Sequence, residues 1–446
     1  MEGCVLMRKK RAKLFVSFLG AALCSFARAE AKPNFIVILA DDLGYGDLSC
    51  YGHSTIKTPN LDKMAAGGMK FTSFYASGNV CSPSRAGLLT GRYQHRFGLE
   101  EVLLEKAEDL ERGLPASETT FAETLKGAGY TTALFGKWHL GFRPEFNPVL
   151  HGFDRFIGTI TGNIDYQSHI SSAGNPDWLN GTQLQEEPGY ATHLITRHSV
   201  EFIKEQKKNP FCIYMAYTAP HSPFQGPGDK ADRSTTQVNP LVGSVKDRDR
   251  AYTEMVQEMD AGIGEVIRTL EKEGLAENTF IFFCSDNGQN TKVKIASAGP
   301  LKGSKAQIWE GGSRVPGIAY WPGKITPSVT DVPVIGLDIF PTLCRFAGVN
   351  VSADLDGTDL SGLLLRKQEL PARTLFWRAP GGKSARNGAW KYVYEFRTKQ
   401  EFLFNLDSDI GETINLAAAN PEKFQQLKSE LAAWEKSVGR CGQIVP

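Results

Sequence analysis

The chain has 446 residues, 41% hydrophobic and 22% charged, which allows one large core with a smaller appended unit and is ordinary for a globular protein. Of its 50 basic and 49 acidic side chains, six and one lie within residues 1–29, leaving 44 against 48 and a net charge of −4 for the remainder. That mildly acidic remainder exerts no global pull on nucleic acid or anionic membrane, so neither is expected as a partner, and an anionic substrate must be held by local charge.

The basic excess at the start has a cause. Arg8–Lys13 form a basic segment, Leu14–Phe26 an apolar one, and Ala27-Arg28-Ala29 fits a small-residue cleavage site. This is the pattern of a secretory signal peptide over residues 1–29, cut after Ala29. The apolar run is shorter than the roughly 20 residues that span a bilayer. No later segment is apolar and long enough to do so, and a secreted or periplasmic protein without a stable membrane anchor is expected. Six cysteines follow: Cys50, Cys81, Cys212, Cys284, Cys344 and Cys441. Export would allow pairing, but their wide spacing without a C-x-x-C signals neither a disulfide framework nor a zinc knuckle. Cys212 and Cys284 lie inside apolar runs and are expected in the core.

Four short apolar runs end abruptly in polar groups. Phe35–Ala40 precedes Asp41-Asp42; Thr131–Phe135 precedes Gly136-Lys137-Trp138-His139; Phe211–Tyr217 precedes Pro220-His221; Thr279–Cys284 precedes Asp286-Asn287. Continuous apolar runs of this length are strands buried on both faces, the signature of a parallel sheet. Helical patterns over 119–128, 191–207 and 251–273 lie among them. The expectation is an α/β domain over 30–370, a large, mostly parallel central sheet flanked by helices. Such sheets bind ligands beyond the carboxyl ends of their strands. One Asp pair could be a cap or a turn; four strand ends delivering charged or imidazole groups point to an active site.

The tail differs. Thr374–Trp377, Trp390–Tyr394 and Glu401–Phe404 are expected short strands, separated by turn residues such as Gly381-Gly382 and Asn387-Gly388, and an amphipathic helix follows over 421–437. This predicts a small antiparallel sheet plus helix over 371–446.

The sharpest motif is Cys81-Ser-Pro-Ser-Arg85-Ala-Gly-Leu-Leu-Thr-Gly-Arg92. Pro83 suits the first turn of a helix and Ser82 could cap it. Cys81 would then sit at a helix N-terminus, where free N–H groups favour an anion and a thiol loses a proton more readily. A buried or disulfide-bonded cysteine would satisfy the same local pattern. A cysteine phosphatase loop would not, because it places Arg six positions after Cys and here the separation is four.

These residues resemble the signature of the type I, formylglycine-dependent sulfatases, which share the alkaline phosphatase-like fold. C-x-P-S-R followed by A-x-L-L-T-G-R matches without a departure. The resemblance implies that a maturation enzyme oxidises Cys81 to formylglycine. It implies that the hydrated aldehyde attacks sulfur with one hydroxyl as the alcohol leaves, and that loss of the second hydroxyl's proton then eliminates sulfate and restores the aldehyde. It extends to Asn34–Asp47 and Ser285-Asp286-Asn287-Gly288, which are similar to the family's metal loops. It implies Asp41, Asp42, Asp286 and Asn287 as ligands, with modified Cys81 a further one. Oxygen ligands suit Ca²⁺, or less well Mg²⁺. Asp47 is expected to be structural.

The same resemblance assigns Lys137 to a sulfate oxygen, His139 to the diol proton and His221 to protonation of the leaving alcohol. Arg85 would steady the formylglycine and its oxyanion. In Leu301–Pro316 two lysines compete; counting back from Glu310-Gly-Gly assigns sulfate binding to Lys305, and Lys302 falls where Arg is common. His151 is expected to shape a loop. Asn163, Asp165 and His169 form a polar stretch that could line a substrate subsite. A secreted sulfatase is the expectation, and its acidic surface suits a sulfated carbohydrate better than a steroid sulfate. A phosphate or phosphonate ester hydrolase on the same scaffold is the alternative, because metal and lysines hold either tetrahedral anion.

Overall fold

The apolar runs form strands buried on both faces. In a computed structural model, which describes residues 1–3, 32–237, 241–351, 354–366 and 368–439, they belong to one large sheet. The expected leader and its cleavage site, apart from residues 1–3, and Cys441 lie outside the described residues. Contacts divide the chain into Met1–Ala31 and Lys32–Pro446, and both sheets belong to the second unit.

The large sheet contains β1 (Asn34–Ala40), β2 (Met69–Tyr75), β3 (Thr131–Lys137), β4 (Arg155–Thr159), β5 (Leu179–Asn180), β6 (Gln183–Leu184), β7 (Phe211–Ala216), β8 (Thr279–Ser285), β9 (Arg314–Tyr320), β10 (Ser328–Thr330) and β11 (Val334–Ile335). Its order is β10-β2-β9-β8-β1-β7-β3-β4-β5-β6, with β11 also on β2. Strands β8, β1, β7, β3 and β4 run parallel, whereas β9 is antiparallel to both β8 and β2.

The helices are α1 (Pro59–Gly67), α2 (Cys81–Thr90), α3 (Phe121–Gly127), α4 (Ala191–Glu205), α5 (Arg248–Lys272), the single turn α6 (Glu310–Ser313), α7 (Ile339–Ala347), α8 (Ser361–Arg366) and α9 (Pro421–Val438). Side chains alternate across a strand, so Phe35, Val37 and Leu39 face α2, α3 and α7, while Ile36 and Ile38 face α1, α4 and α5. Each fully buried side chain of this kind contributes roughly 1.5–3 kcal/mol. Helix α3 starts two residues later than the expected 119 because Thr120 and Glu123 form a reciprocal capping box. Cys212 and Cys284 are fully buried, as expected, and among the described residues Cys50, Cys81, Cys212, Cys284 and Cys344 are free thiols. No helix among the described residues is long and apolar enough to cross a membrane.

The second sheet is antiparallel: β12 (Thr374–Ala379), β13 (Gly382–Asn387), β14 (Trp390–Glu395) and β15 (Gln400–Asn405). Three strands and α9 match the sequence expectation. Strand β13 does not; its Lys383-Ser-Ala-Arg386 core lacks an apolar pattern, and it is a strand because β12 and β14 saturate both of its edges. Its Arg386 is buried and lies 3.8 Å from Glu310 at the start of α6. Glu310 also accepts from Tyr75 at 2.5 Å and pairs with Lys391 at 2.8 Å and Arg314 at 3.1 Å. Burial opposes this carboxylate's charge, but Lys391, Arg314 and Arg386 outweigh it and hold its pKa at about 2. This cluster ties the second sheet to the first.

Two buried histidines each make a contribution that weakens the fold in acid. Burial lowers His95 and His151 from the ordinary 6.5 to about 4; His95 packs on Trp434 of α9 and His151 on Trp138. Between pH 6.5 and about 4 the unfolded chain binds a proton at each site and the folded chain does not. Their contribution is therefore complete above the unfolded value and is lost as pH falls through the folded value. Compared with the unsubstituted protein, His151→Phe should lose less Tm between pH 7 and pH 4, by about one proton's share of the slope, as thermal melts across that range would show.

Candidate active site

Strands β8, β1, β7 and β3 are adjacent and parallel, so the four polar strand ends open on a single edge. Backbone bonds hold them in register there: Asp41 N–H donates to Ala219 O at 3.0 Å and Asp286 N–H to Ala40 O at 3.1 Å. Asp42 and His139 both adopt left-handed backbone, φ 64° and 60°, a conformation that costs a non-glycine residue roughly 1–3 kcal/mol and gathers at functional sites.

Helix α2 begins at Cys81, which is buried at its first turn. Ser82 does not cap it. Val80 is the capping residue and uses no side-chain bond, while Ser82 Oγ accepts from Leu103 N–H at 3.1 Å, because the chain folds the Leu103 loop over the helix start. Lys305 Nζ lies 3.3 Å from Cys81 Sγ. Burial would raise the encoded thiol, but Lys137 and Lys305 outweigh it and bring it down to about 6.

The carboxylates are buried and mutually close. Asp41 Oδ2 accepts from Lys137 Nζ at 2.5 Å. Asp42 Oδ1 accepts from Lys305 Nζ at 2.5 Å and Asn287 Nδ2 at 2.8 Å; burial opposes its charge, but Lys305 and His221 hold its pKa well below the usual range. Asp286 Oδ1 accepts from Asp42 N–H at 3.1 Å, and its Oδ2 from Arg85 Nε at 3.1 Å and the Arg85 guanidinium terminus at 2.8 Å. Burial and the neighbouring Asp41 push Asp286 upward in spite of Arg85. Arg85 also donates to Lys137 O at 3.0 Å and lies 3.6 Å from Asp41 Oδ1, so its fork braces the carboxylates from within and is fully buried.

The residues present fit a hard cation. Asp41 Oδ1 and Asn287 Oδ1 are buried oxygens without a hydrogen-bond partner among the described residues, an arrangement that costs free energy unless a ligand completes it. Potential ligand atoms of Asp41, Asp42, Cys81 and His221 all lie within 4.8 Å of one another. Asp286 and Asn287 join this cluster through their bonds to Asp42.

The two imidazoles are set oppositely. His139 Nε2 lies 2.7 Å from Leu103 O and must donate to it, leaving Nδ1 as an unpartnered acceptor among the described residues. Burial, reinforced by Lys137, holds it neutral, well below 6.5. His221 Nδ1 donates to Ser222 O at 2.7 Å and turns Nε2 toward Asp42 Oδ2 at 3.6 Å. Burial would lower its pKa, but Asp42 and Asp41 raise it.

A protein-family model described as Sulfatase matches residues 33–349. The chain belongs to the sulfatase family. It is 33% identical to human arylsulfatase A over 91% of this chain and 88% of that protein. It is 34% identical to dog N-acetylgalactosamine-6-sulfatase over 92% of this chain and 86% of that protein. The crystal structure of Ps i-CgsB aligns with a TM-score of 0.83 and 30% identity, covering 93% of this chain and 95% of that one; the same protein was also solved with k-i-k-neocarrahexaose. This sulfatase is a sulfuric ester hydrolase, and its layered sheet with a separate four-stranded sheet is the alkaline phosphatase-like fold of the family.

Within the sulfatase fold, the structure brings Asp41, Asp42, Cys81, Arg85, Lys137, His221, Asp286, Asn287 and Lys305 into one connected cluster, with His139 beside it. Asp47 lies outside, accepting from Gly44 N–H, Ser297 N–H and Tyr252 OH. Asp165 turns inward to five N–H donors, on Gln167, Ser168, Gln225, Asp232 and Arg233, and His169 stacks on Trp178; of that polar stretch only Asn163 approaches a site histidine, at 3.5 Å from His221. Sequence reasoning missed Asn290, 3.5 Å from Asp42, and the Leu103 carbonyl, whose role any residue could fill and which leaves no signal.

The two lysines separate. Lys302 Nζ sits 3.5 Å over the Trp309 ring and donates to Glu412 O. Lys305→Met is expected to lower kcat/KM on an aryl sulfate by about 10²-fold or more, whereas Lys302→Met should leave it within about threefold and lower Tm instead; steady-state kinetics and a thermal melt on both variants check this.

Proposed function

We propose that this sulfatase acts on a sulfated carbohydrate outside the cytoplasm, through a formylglycine made from Cys81 by a maturation enzyme, with Ca²⁺ as its cation and Mg²⁺ as the poorer substitute. The observation that carries the reading is the setting of residue 81: buried, at the first turn of α2, with an ammonium 3.3 Å away and two aspartates and an imidazole in the same cluster. The sugar substrate is supported by relatives named for N-acetylgalactosamine sulfate and by the neighbour solved with neocarrahexaose. Export is supported by the leader pattern of residues 1–29.

Asp41, Asp42, Asp286 and Asn287, with converted residue 81, would hold the cation. Their hard oxygens match Ca²⁺, leaving His221 free for proton transfer. When bound, the cation would supply Lewis-acid polarisation at the reacting oxygens. Formylglycine would supply a hydroxyl nucleophile together with a second hydroxyl for releasing sulfate. Lys137 and Lys305 keep ammonium protons beyond those given to Asp41 and Asp42, and these would take the sulfate oxygens as charge builds there. His221 holds a proton on Nε2 for the departing sugar oxygen. His139 offers the Nδ1 lone pair to the second hydroxyl. Environments that push two imidazoles apart in this way divide acid from base work.

Mass spectrometry of the peptide spanning residue 81, from a host with a maturation enzyme, should show sulfur replaced by oxygen; an intact thiol would sink the formylglycine reading. Chelation should abolish turnover, and Ca²⁺ should restore it better than Mg²⁺. Matched esters should give a higher kcat/KM for sulfate than for phosphate, and the reverse would favour a phosphate or phosphonate ester hydrolase.

A further inference from the structure

One buried cation lies beside the site without belonging to the carboxylate cluster. Arg233, in the loop after β7, is buried. Its guanidinium donates to Asn163 Oδ1 at 2.6 Å, to Asn163 O at 3.2 Å and to Ile170 O at 3.4 Å. Its own N–H donates to Asp165 Oδ2 at 3.1 Å.

Asn163 passes this contact on. A guanidinium only donates, so the Asn163 atom facing it must be the amide oxygen. That choice turns Nδ2 toward Ser222 O at 2.7 Å. The same carbonyl accepts His221 Nδ1–H at 2.7 Å, and two donors fill its two lone pairs. Because Nδ1 carries that hydrogen, the 3.5 Å approach of Asn163 Nδ2 to Nδ1 is packing and not a bond. Tyr166, three residues along, shares its hydroxyl hydrogen between Thr218 O at 2.5 Å and His221 O at 2.9 Å and pins the backbone on the other side. Neighbouring Gly162 leaves room for the second imidazole; a Cβ there would meet His139 Cε1 at 2.3 Å.

We infer that Arg233 and Asn163 are positioning residues for the proton donor: Arg233 orients the Asn163 amide, the amide fixes the Ser222 carbonyl, and that carbonyl holds the His221 Nδ1–H and so aims Nε2 at the leaving oxygen. This rests on the reading of His221 as the acid. Hydrogen bonds to the far nitrogen of a working imidazole set its tautomer and ring orientation. The chain of contacts specifies what each substitution does. In Asn163→Asp both side-chain oxygens accept, so the pair with Arg233 strengthens and the loop stays anchored. The second oxygen, however, then faces the Ser222 carbonyl and repels it.

The experiment measures kcat/KM for a series of sulfate esters whose leaving alcohols range from acidic phenols to a sugar hydroxyl, for the full chain and for His221→Ala, Asn163→Asp and Arg233→Lys, with Tm as a folding control. Loss of the acid penalises poor leaving groups selectively. His221→Ala should lose about 10²-fold on the sugar sulfate and little on the most acidic phenol. Asn163→Asp and Arg233→Lys should steepen the dependence in the same sense by about tenfold. A uniform loss across the series in both variants, with His221→Ala still selective, would overturn the relay and leave the acid assignment standing. An unselective His221→Ala would overturn the acid assignment and the relay with it.

Discussion

Charges that could not be buried singly are buried together at the strand ends. Asp41, Asp42, Asp286, Arg85 and Lys137 are all removed from water, and each carboxylate is within bonding distance of a cation. Removing one partner from such a group leaves an uncompensated buried charge, at a cost of about 3–5 kcal/mol. The arrangement is therefore self-enforcing. Arg85 and Asp286 lie 201 residues apart, so the site assembles only when α2 has docked against β8 and β1. Lys305 is the exception, with its side chain a fifth exposed.

The second sheet matters to this site because it holds the segment that carries Lys305. Lys391 of β14 donates to Ile308 O and pairs with Glu310; Glu412 accepts from Glu310 N–H at 2.7 Å; Lys302 lies over Trp309, which packs against Phe402 and Phe404 of β15. Anchors thus lie on both sides of Lys305, three residues before it and three to five after. The small sheet supplies no residue to the cluster around Cys81, yet it anchors the segment that carries Lys305.

Proton chemistry depends on carbonyl oxygens of loops more than on any motif. Leu103 O leaves His139 Nδ1 unpartnered among the described residues, and Ser222 O turns His221 Nε2 toward Asp42. The surrounding charges then separate the two rings further, Lys137 disfavouring protonation of His139 and Asp42 favouring it on His221. Two like residues are thus set in opposite environments by what touches one nitrogen of each ring.

Linear order was enough for the sheet and for most of the site. Apolar runs that halt at Asp41-Asp42, Lys137 and Asp286-Asn287 are visible because a strand buried on both faces admits no charge until it ends, and the residues after Cys81 stand as one contiguous motif. Counting back from Glu310 singled out Lys305, but linear order could not say that Lys302 lies over Trp309 and donates to Glu412 O, that Ser82 serves Leu103 instead of capping α2, that Arg85 braces Asp286, or that the polar segment 382–387 is a strand. Each of those outcomes depends on a partner distant in the chain. Local pattern carries information about what a residue would bury. Which acceptor, ring or carboxylate it meets follows only from how the loops of the folded molecule pack across the strand ends.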